Sequence, residues 1–167
     1  IDTWIDLAEA DIWEVLKIPE MDENTTLSTS TANRFVALPT DFLSVRRLQI
    51  DRANLPPCDL DYQAPQNLEI LDRTGVPYEY TITDQFELNR ISDQVYTLEL
   101  QYWKSLTPLS SSNTTNAVLT NYPMIYLSGC MRHFGLWAVN DVVFNKWDII
   151  FNRQVARANR RARKART

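Results

Sequence analysis

The chain has 167 residues, with 17 Lys and Arg, 21 Asp and Glu, one His and a net charge of −4. Its apolar fraction of 44%, with 11% aromatic, is enough to fill a core and excludes wholesale disorder, and no apolar run is long enough to span a bilayer. The charge is segregated: residues 153–167 hold seven of the basic residues and no acid, leaving ten basic against twenty-one acidic residues elsewhere.

This length suits one domain, or a core with one insertion. Ile1, Trp4, Ile5, Ala8, Ile12, Val15 and Leu16 recur at spacings of three and four, which predicts an amphipathic helix over 2–17. Asp2 is its expected N-cap, and Lys17 before Pro19 marks its end. The chain opens on Ile1 rather than Met, which leaves room for a leading segment. Residues 22–33 are rich in Ser, Thr and Asn and read as a loop or a ragged edge strand.

A β insertion is expected over 35–103. Pro39-Thr40-Asp41 is a turn signal, and Leu43 to Asp51 reads as a strand with Leu48 and Ile50 inward, broken by Pro56-Pro57. Ala64 to Leu71 reads as a short helix opened by Pro65. After Gly75-Val76-Pro77, Tyr78, Tyr80 and Ile82 alternate with polar residues, and a turn at Thr83-Asp84-Gln85 lets Phe86 and Leu88 pair back. In the next strand Tyr96, Leu98, Leu100 and Tyr102 share one face and Thr97, Glu99 and Gln101 the other, so one face is packed and one is wet or at an interface.

Residues 105–116 form a polar connector. Asn121 then caps a helix over 121–139 with Pro123 in its first turn and Ile125, Leu127, Met131, Phe134 and Trp137 or Ala138 at helical spacing. Asn140-Asp141 interrupts the pattern. A last helix starts at Asp141, with Val143, Trp147, Ile150, Phe151 and Val155 inward; continued to Lys164 it would extend roughly 36 Å. The expected fold class is α+β: a helical bundle with a β-sheet insertion between the first helix and the C-terminal helix pair, ending in a long basic helical arm. The body is 1–152 (last helix 141–152) and the arm 153–167, separable without loss of the body.

Chemistry has few handles. Cys58 and Cys130 make neither a disulfide framework nor a metal pattern and read as reduced thiols. Three glycines leave no phosphate-cradling loop. His133, on an apolar helix with no designated partner, reads as a satisfied structural histidine. Asp59, Asp61 and Asp93 read as surface charge rather than a catalytic pair. Trp103, Trp137 and Trp147 read as core or subunit contacts rather than base-stacking platforms. The basic segment leaves three readings open: docking on an acidic protein surface, binding nucleic-acid phosphate, or a solvated tail.

Four segments in order resemble the adaptor proteins of tailed bacteriophages. They are Asp2-Thr3-Trp4-Ile5-Asp6-Leu7-Ala8-Glu9-Ala10, Leu38-Pro39-Thr40-Asp41-Phe42-Leu43, Gly75-Val76-Pro77-Tyr78-Glu79-Tyr80 and Tyr96-Thr97-Leu98-Glu99-Leu100-Gln101-Tyr102-Trp103. Trp147, Phe151 and Arg160-Arg161 fit the family's closing helix. The resemblance implies a structural head-completion protein with no enzymatic activity and no cofactor or metal. It implies a ring, usually of twelve copies, between the portal and the tail or nozzle of a tailed, short-tailed phage, sealing and extending the DNA channel after packaging. The partners implied are portal, tail protein and self, with genomic DNA passing unbound and no membrane; the location is the virion neck, after assembly in the host cytoplasm. On that expectation Arg153, Arg157, Arg160, Arg161, Arg163, Lys164 and Arg166 meet the portal, and Thr97, Glu99, Gln101 and Trp103 meet a neighbouring subunit or tail protein. The alternative is a nucleic-acid-binding accessory protein using the basic arm.

Overall fold

A computed structural model describes residues 2–52 and 55–164. Ile1 and Arg166, assigned roles above, lie outside the described residues, as does the side chain of the expected cap Asp2. The fold is α+β, with four helices and two four-stranded sheets. It divides into two compact units: residues 1–22 with 104–167, which are helical, and residues 23–103, which are β.

In the helical unit, α1 (Asp2–Val15) buries Ala8 and Ile12, and Leu16, Ile18 and Met21 continue that core beyond its end. A short helix that spacing did not foretell, α2 (Ala117–Asn121), is capped by the Asn116 side chain, which accepts from the Leu119 N–H at 2.9 Å, and α3 (Pro123–Trp137) begins afresh at Pro123. Asn121 therefore ends α2 rather than capping α3; its amide donates to Glu20 at 3.0 Å. The helix α4 (Asp141–Lys164) is continuous over 24 residues.

Gly135 sets how closely α3 and α4 cross. A Cβ there would lie 2.7 Å from the Phe144 backbone nitrogen and 2.9 Å from its Cα, so only glycine fits. The turn between the two helices is three residues long, and all three of its N–H groups are bonded back to α3. The Val139 N–H donates to the Leu136 carbonyl (3.1 Å) and the Asn140 N–H to the Gly135 carbonyl (2.9 Å), the paired bonds of a Schellman cap. Asn140 then opens α4, its side chain accepting from the Val143 N–H at 3.1 Å. Such a cap needs a left-handed residue, normally glycine; here Val139 takes it, with φ 50°. For a β-branched residue that conformation costs about 1–2 kcal/mol.

Spacing alone misjudged part of α3. Ile125 is buried as expected, but Leu127 and Trp137 are exposed, because α3 meets α1 and α4 through its Ile125, Ser128, Gly129 and Gly135 stripe. Trp137 keeps only ring contacts with Trp4 and Phe134, at 6.0 and 6.1 Å.

In the β unit, β1 (Asp22–Ser28) is the edge strand that the polar segment foreshadowed. The first sheet runs β1-β8-β3-β4, with β3 (Phe42–Arg52), β4 (Leu55–Asp59) and β8 (Thr97–Lys104). The second runs β2-β7-β6-β5, with β2 (Phe35–Val36), β5 (Asp61–Tyr62), β6 (Glu79–Ile82) and β7 (Phe86–Leu88). Leu48, Ile50, Leu98, Leu100 and Tyr102 of one sheet and Val36, Tyr80, Phe86 and Leu88 of the other share a single core. The expected hairpin is present, Ile82 opposite Phe86. The Thr29 N–H donates to the Tyr96 carbonyl at 2.9 Å, just past the end of β1 and just before β8, so the two strands run antiparallel. The strands that begin and close this unit are thus neighbours.

Two expectations fail here for local reasons. Pro56-Pro57 lies within β4, an edge strand, opposite the register shift between Ile50 and Arg52 of β3, and edges and bulges are where a sheet tolerates missing N–H groups. No helix forms over 64–71: the Leu71 N–H is taken by the Asn89 carbonyl at 2.8 Å. That segment holds only a turn at Ala64–Asn67.

Burial and a 2.9 Å bond to Asp41 push the Tyr102 phenol up to about 12, and burial also raises Tyr80 and Tyr96. A phenol whose folded value lies above the unfolded one, near 10, contributes stability that is complete below pH 10 and is lost as pH climbs toward 12. Alkaline titration followed at 295 nm should show tyrosine ionisation tracking loss of circular dichroism across that window. Tyr102→Phe should lose stability less steeply above pH 10; an unchanged slope would contradict the assignment.

Candidate assembly interface

The inner face of α4 is apolar along its whole length: Phe151, Val155, Ala158 and Ala162, spaced by four, three and four, are buried. The basic segment is therefore not simply appended to a finished body. Its Asn159 side chain accepts from the Lys17 N–H at 2.8 Å and donates to the Val15 carbonyl at 3.0 Å, closing the end of α1 against α4. Removing residues 153–167 would strip Val155, Ala158, Ala162 and Asn159 from the core, so the segment is not separable as the sequence suggested.

The outer face carries the charge. Arg153, Arg157, Arg160, Arg161, Arg163 and Lys164 are all exposed. Among the described residues, none of the five arginines has an acidic partner within 4 Å. Cations stacked at three- and four-residue spacing repel, by a few tenths of a kcal/mol per pair, partly offset by the negative end of the helix dipole. A guanidinium comb on a helix anchored along its other face can accept carboxylates or phosphates with little ordering cost.

In the β unit, Thr97 and Glu99 are exposed and Gln101 and Trp103 half-buried on the outer side of β8. The Arg46 guanidinium lies 5.2 Å above the Trp103 ring, and Arg47 pairs with Asp59 at 2.7 Å, which raises the arginine and lowers the aspartate. With Asn24 and Thr26 of β1, Glu99 and Gln101 border a shallow polar depression. The two groups of expected contact residues thus belong to different units, each gathered on one face of one element.

The polar residues of the helical core have structural partners. His133 Nε2 lies 2.6 Å from an Asp11 carboxylate oxygen, Arg132 pairs with both Asp11 and Asp148, and its guanidinium covers the Phe151 ring at 4.5 Å. Glu9, 3% exposed, accepts from the Leu109 N–H and the Tyr126 hydroxyl, both at 2.8 Å. Among the described residues no group of three or more His, Cys, Asp or Glu could hold a metal ion, and no helix is long and apolar enough to cross a membrane.

One feature escaped the sequence. Around the α3–α4 turn, Leu136, Trp137, Val139 and Val142 are all exposed. Periodicity assigns such residues to a core, and Val at a left-handed position carries no turn signal. Elsewhere in the same unit, α1, the connector, α2 and the first half of α3 border an apolar groove of about 870 Å³.

The family model described as SU10 adaptor protein matches residues 1–167. No curated protein matches the chain.

Proposed function

The chain belongs to the SU10 adaptor protein family, a phage head–tail adaptor family, and from that premise we propose how its surfaces divide the work of a neck. The family makes it a structural component of a virion, in a class of proteins that assemble with themselves and with portal and tail proteins. The finer reading is a ring, of twelve copies, between the portal and the tail or nozzle of a short-tailed phage, sealing and extending the DNA channel after packaging. The outer face of α4 meets an acidic portal surface. The outer side of β8, with Thr97, Glu99, Gln101 and Trp103, meets a neighbouring subunit or a tail protein.

One observation carries the portal assignment: five exposed arginines, without an acidic partner among the described residues, on a helix whose other face is locked into the core. Away from residues 153–167 the chain has ten basic and twenty-one acidic residues, so a ring lined by that remainder repels passing DNA rather than gripping it. Repetition around a ring turns a modest contact per subunit into firm attachment.

Charge reversal tests this without disturbing the core. Arg157→Glu, Arg160→Glu and Arg161→Glu together should leave the circular dichroism spectrum unchanged and reduce capture by purified portal at least a hundredfold. Undiminished capture would sink the assignment. If the wild-type protein instead binds duplex DNA tightly, with affinity falling steeply as salt rises, and ignores the portal, the arginines serve nucleic acid.

A further inference from the structure

We propose that the α3–α4 turn is a knob that inserts into the apolar groove of the next copy of this chain, so that copies join head to tail. The proposal rests on the ring reading and supplies its subunit contact. The knob consists of Leu136, Trp137, Val139 and Val142, respectively 56, 71, 89 and 79% exposed. Four large apolar side chains within one turn of chain are far from the scattered single residues of an ordinary surface. Val139 adds a second anomaly, since it holds a left-handed backbone conformation that glycine would adopt freely. A residue that is both strained and apolar in water weakens the isolated subunit twice. Such local conflicts accumulate where a surface is kept for binding, and tryptophan is the residue most enriched among binding hot spots.

The groove is the complement. It is bordered by Ile5, Leu109, Leu119, Tyr126, Leu127 and Cys130, with Asp6 on its rim. Its volume of about 870 Å³ is ample for an indole and its apolar neighbours. The knob cannot fill the groove of its own chain: Leu127 and Trp137 are ten residues apart on one rigid helix, about 15 Å along its axis. A second copy satisfies both surfaces at once. Because the two patches are unlike and do not overlap, each copy is free to give its knob to one neighbour and take another's in its groove, a heterologous contact that generates a ring when the rotation closes. Charge agrees: Lys146, one turn beyond Val142 on α4, and Asp6 are both exposed and, among the described residues, without an ion-pair partner.

The experiment uses the full chain, alone and with its portal, and reads assembly by sedimentation velocity and mass photometry. Val139→Asp removes the knob's tip, and aspartate tolerates the left-handed conformation; Leu127→Asp spoils the groove at an exposed position. Each should lower ring assembly at least a hundredfold. Mixed one to one they should give pairs and nothing larger, since only the Leu127→Asp knob and the Val139→Asp groove remain usable. Val139→Gly should melt higher than wild type yet assemble less well, which separates lost contact from lost folding. Rings formed undiminished by all three variants overturn the knob-and-groove contact and leave the ring reading standing. A wild-type protein that stays monomeric with and without portal overturns both.

Discussion

Glu9→Ala is expected to lower the unfolding free energy by about 3 kcal/mol. Glu9 Oε1 is the acceptor for the Leu109 N–H and the Tyr126 hydroxyl, and Tyr126 oxygen in turn accepts from the Asn116 amide at 2.6 Å. Losing the carboxylate leaves a buried hydroxyl and a part-buried N–H unmatched, each costing about 1–3 kcal/mol, partly offset because a desolvated carboxylate is also removed. For a protein of this size the melting temperature should fall by roughly 6–12 °C. Glu9→Gln keeps an acceptor oxygen and should lose about 1 kcal/mol. A Glu9→Ala, Tyr126→Phe double variant should lose clearly less than the sum of its parts, since the second change removes a donor the first has orphaned. Urea denaturation measures all four. Equal losses for alanine and glutamine, or strict additivity in the cycle, would mean that Glu9 does not pin the 105–116 connector to the helices.

Gly135→Ala should cost about 1–2 kcal/mol net, although alanine is the better helix former. Propensity alone would favour the change by about 1 kcal/mol. Against that, the new methyl meets the Phe144 backbone nitrogen and Cα, neither of which can rotate away, and overpacking of this kind costs about 1–3 kcal/mol or more. The crossing of α3 and α4 would have to open, moving the arginine face with it. Gly75→Ala is the contrast. Its nearest neighbour is the tip of the Arg90 side chain at 3.0 Å, which can swing aside, so that change should lie within about 0.5 kcal/mol of wild type. A stable Gly135→Ala protein would refute the close approach of the two helices.

Local pattern went furthest where one face of an element does all the burying. The extent of α4, the inward set Tyr96, Leu98, Leu100 and Tyr102, and the hairpin at Thr83-Asp84-Gln85 could each be read from spacing. The arginine cluster was equally plain as a charge asymmetry. What spacing could not tell is which of two apolar stripes a helix buries: α3 has Leu127 and Trp137 on a periodic face, but small residues at Gly129 and Gly135 draw the neighbouring helices to another. Nor does a run of arginines announce that the alanines between them are core. The burial of Ala158 and Ala162 is hidden by their size. The division of strands into two sheets depends on pairings such as Thr29 with Tyr96, sixty-seven residues apart, which no local signal encodes. The knob was missed because its evidence is a conflict between residue and backbone, visible only once the φ of Val139 is known.

The β unit leaves and rejoins the helical frame through strands that lie side by side, β1 and β8. That makes residues 23–103 an exchangeable cassette. Closing the gap between neighbouring antiparallel strands takes only a two-residue turn, so the whole insert can be excised, or swapped for one of different length, without stretching the frame. Recombination at two adjacent points thereby suffices to exchange the surface of the sheet while the helical frame stays as it is.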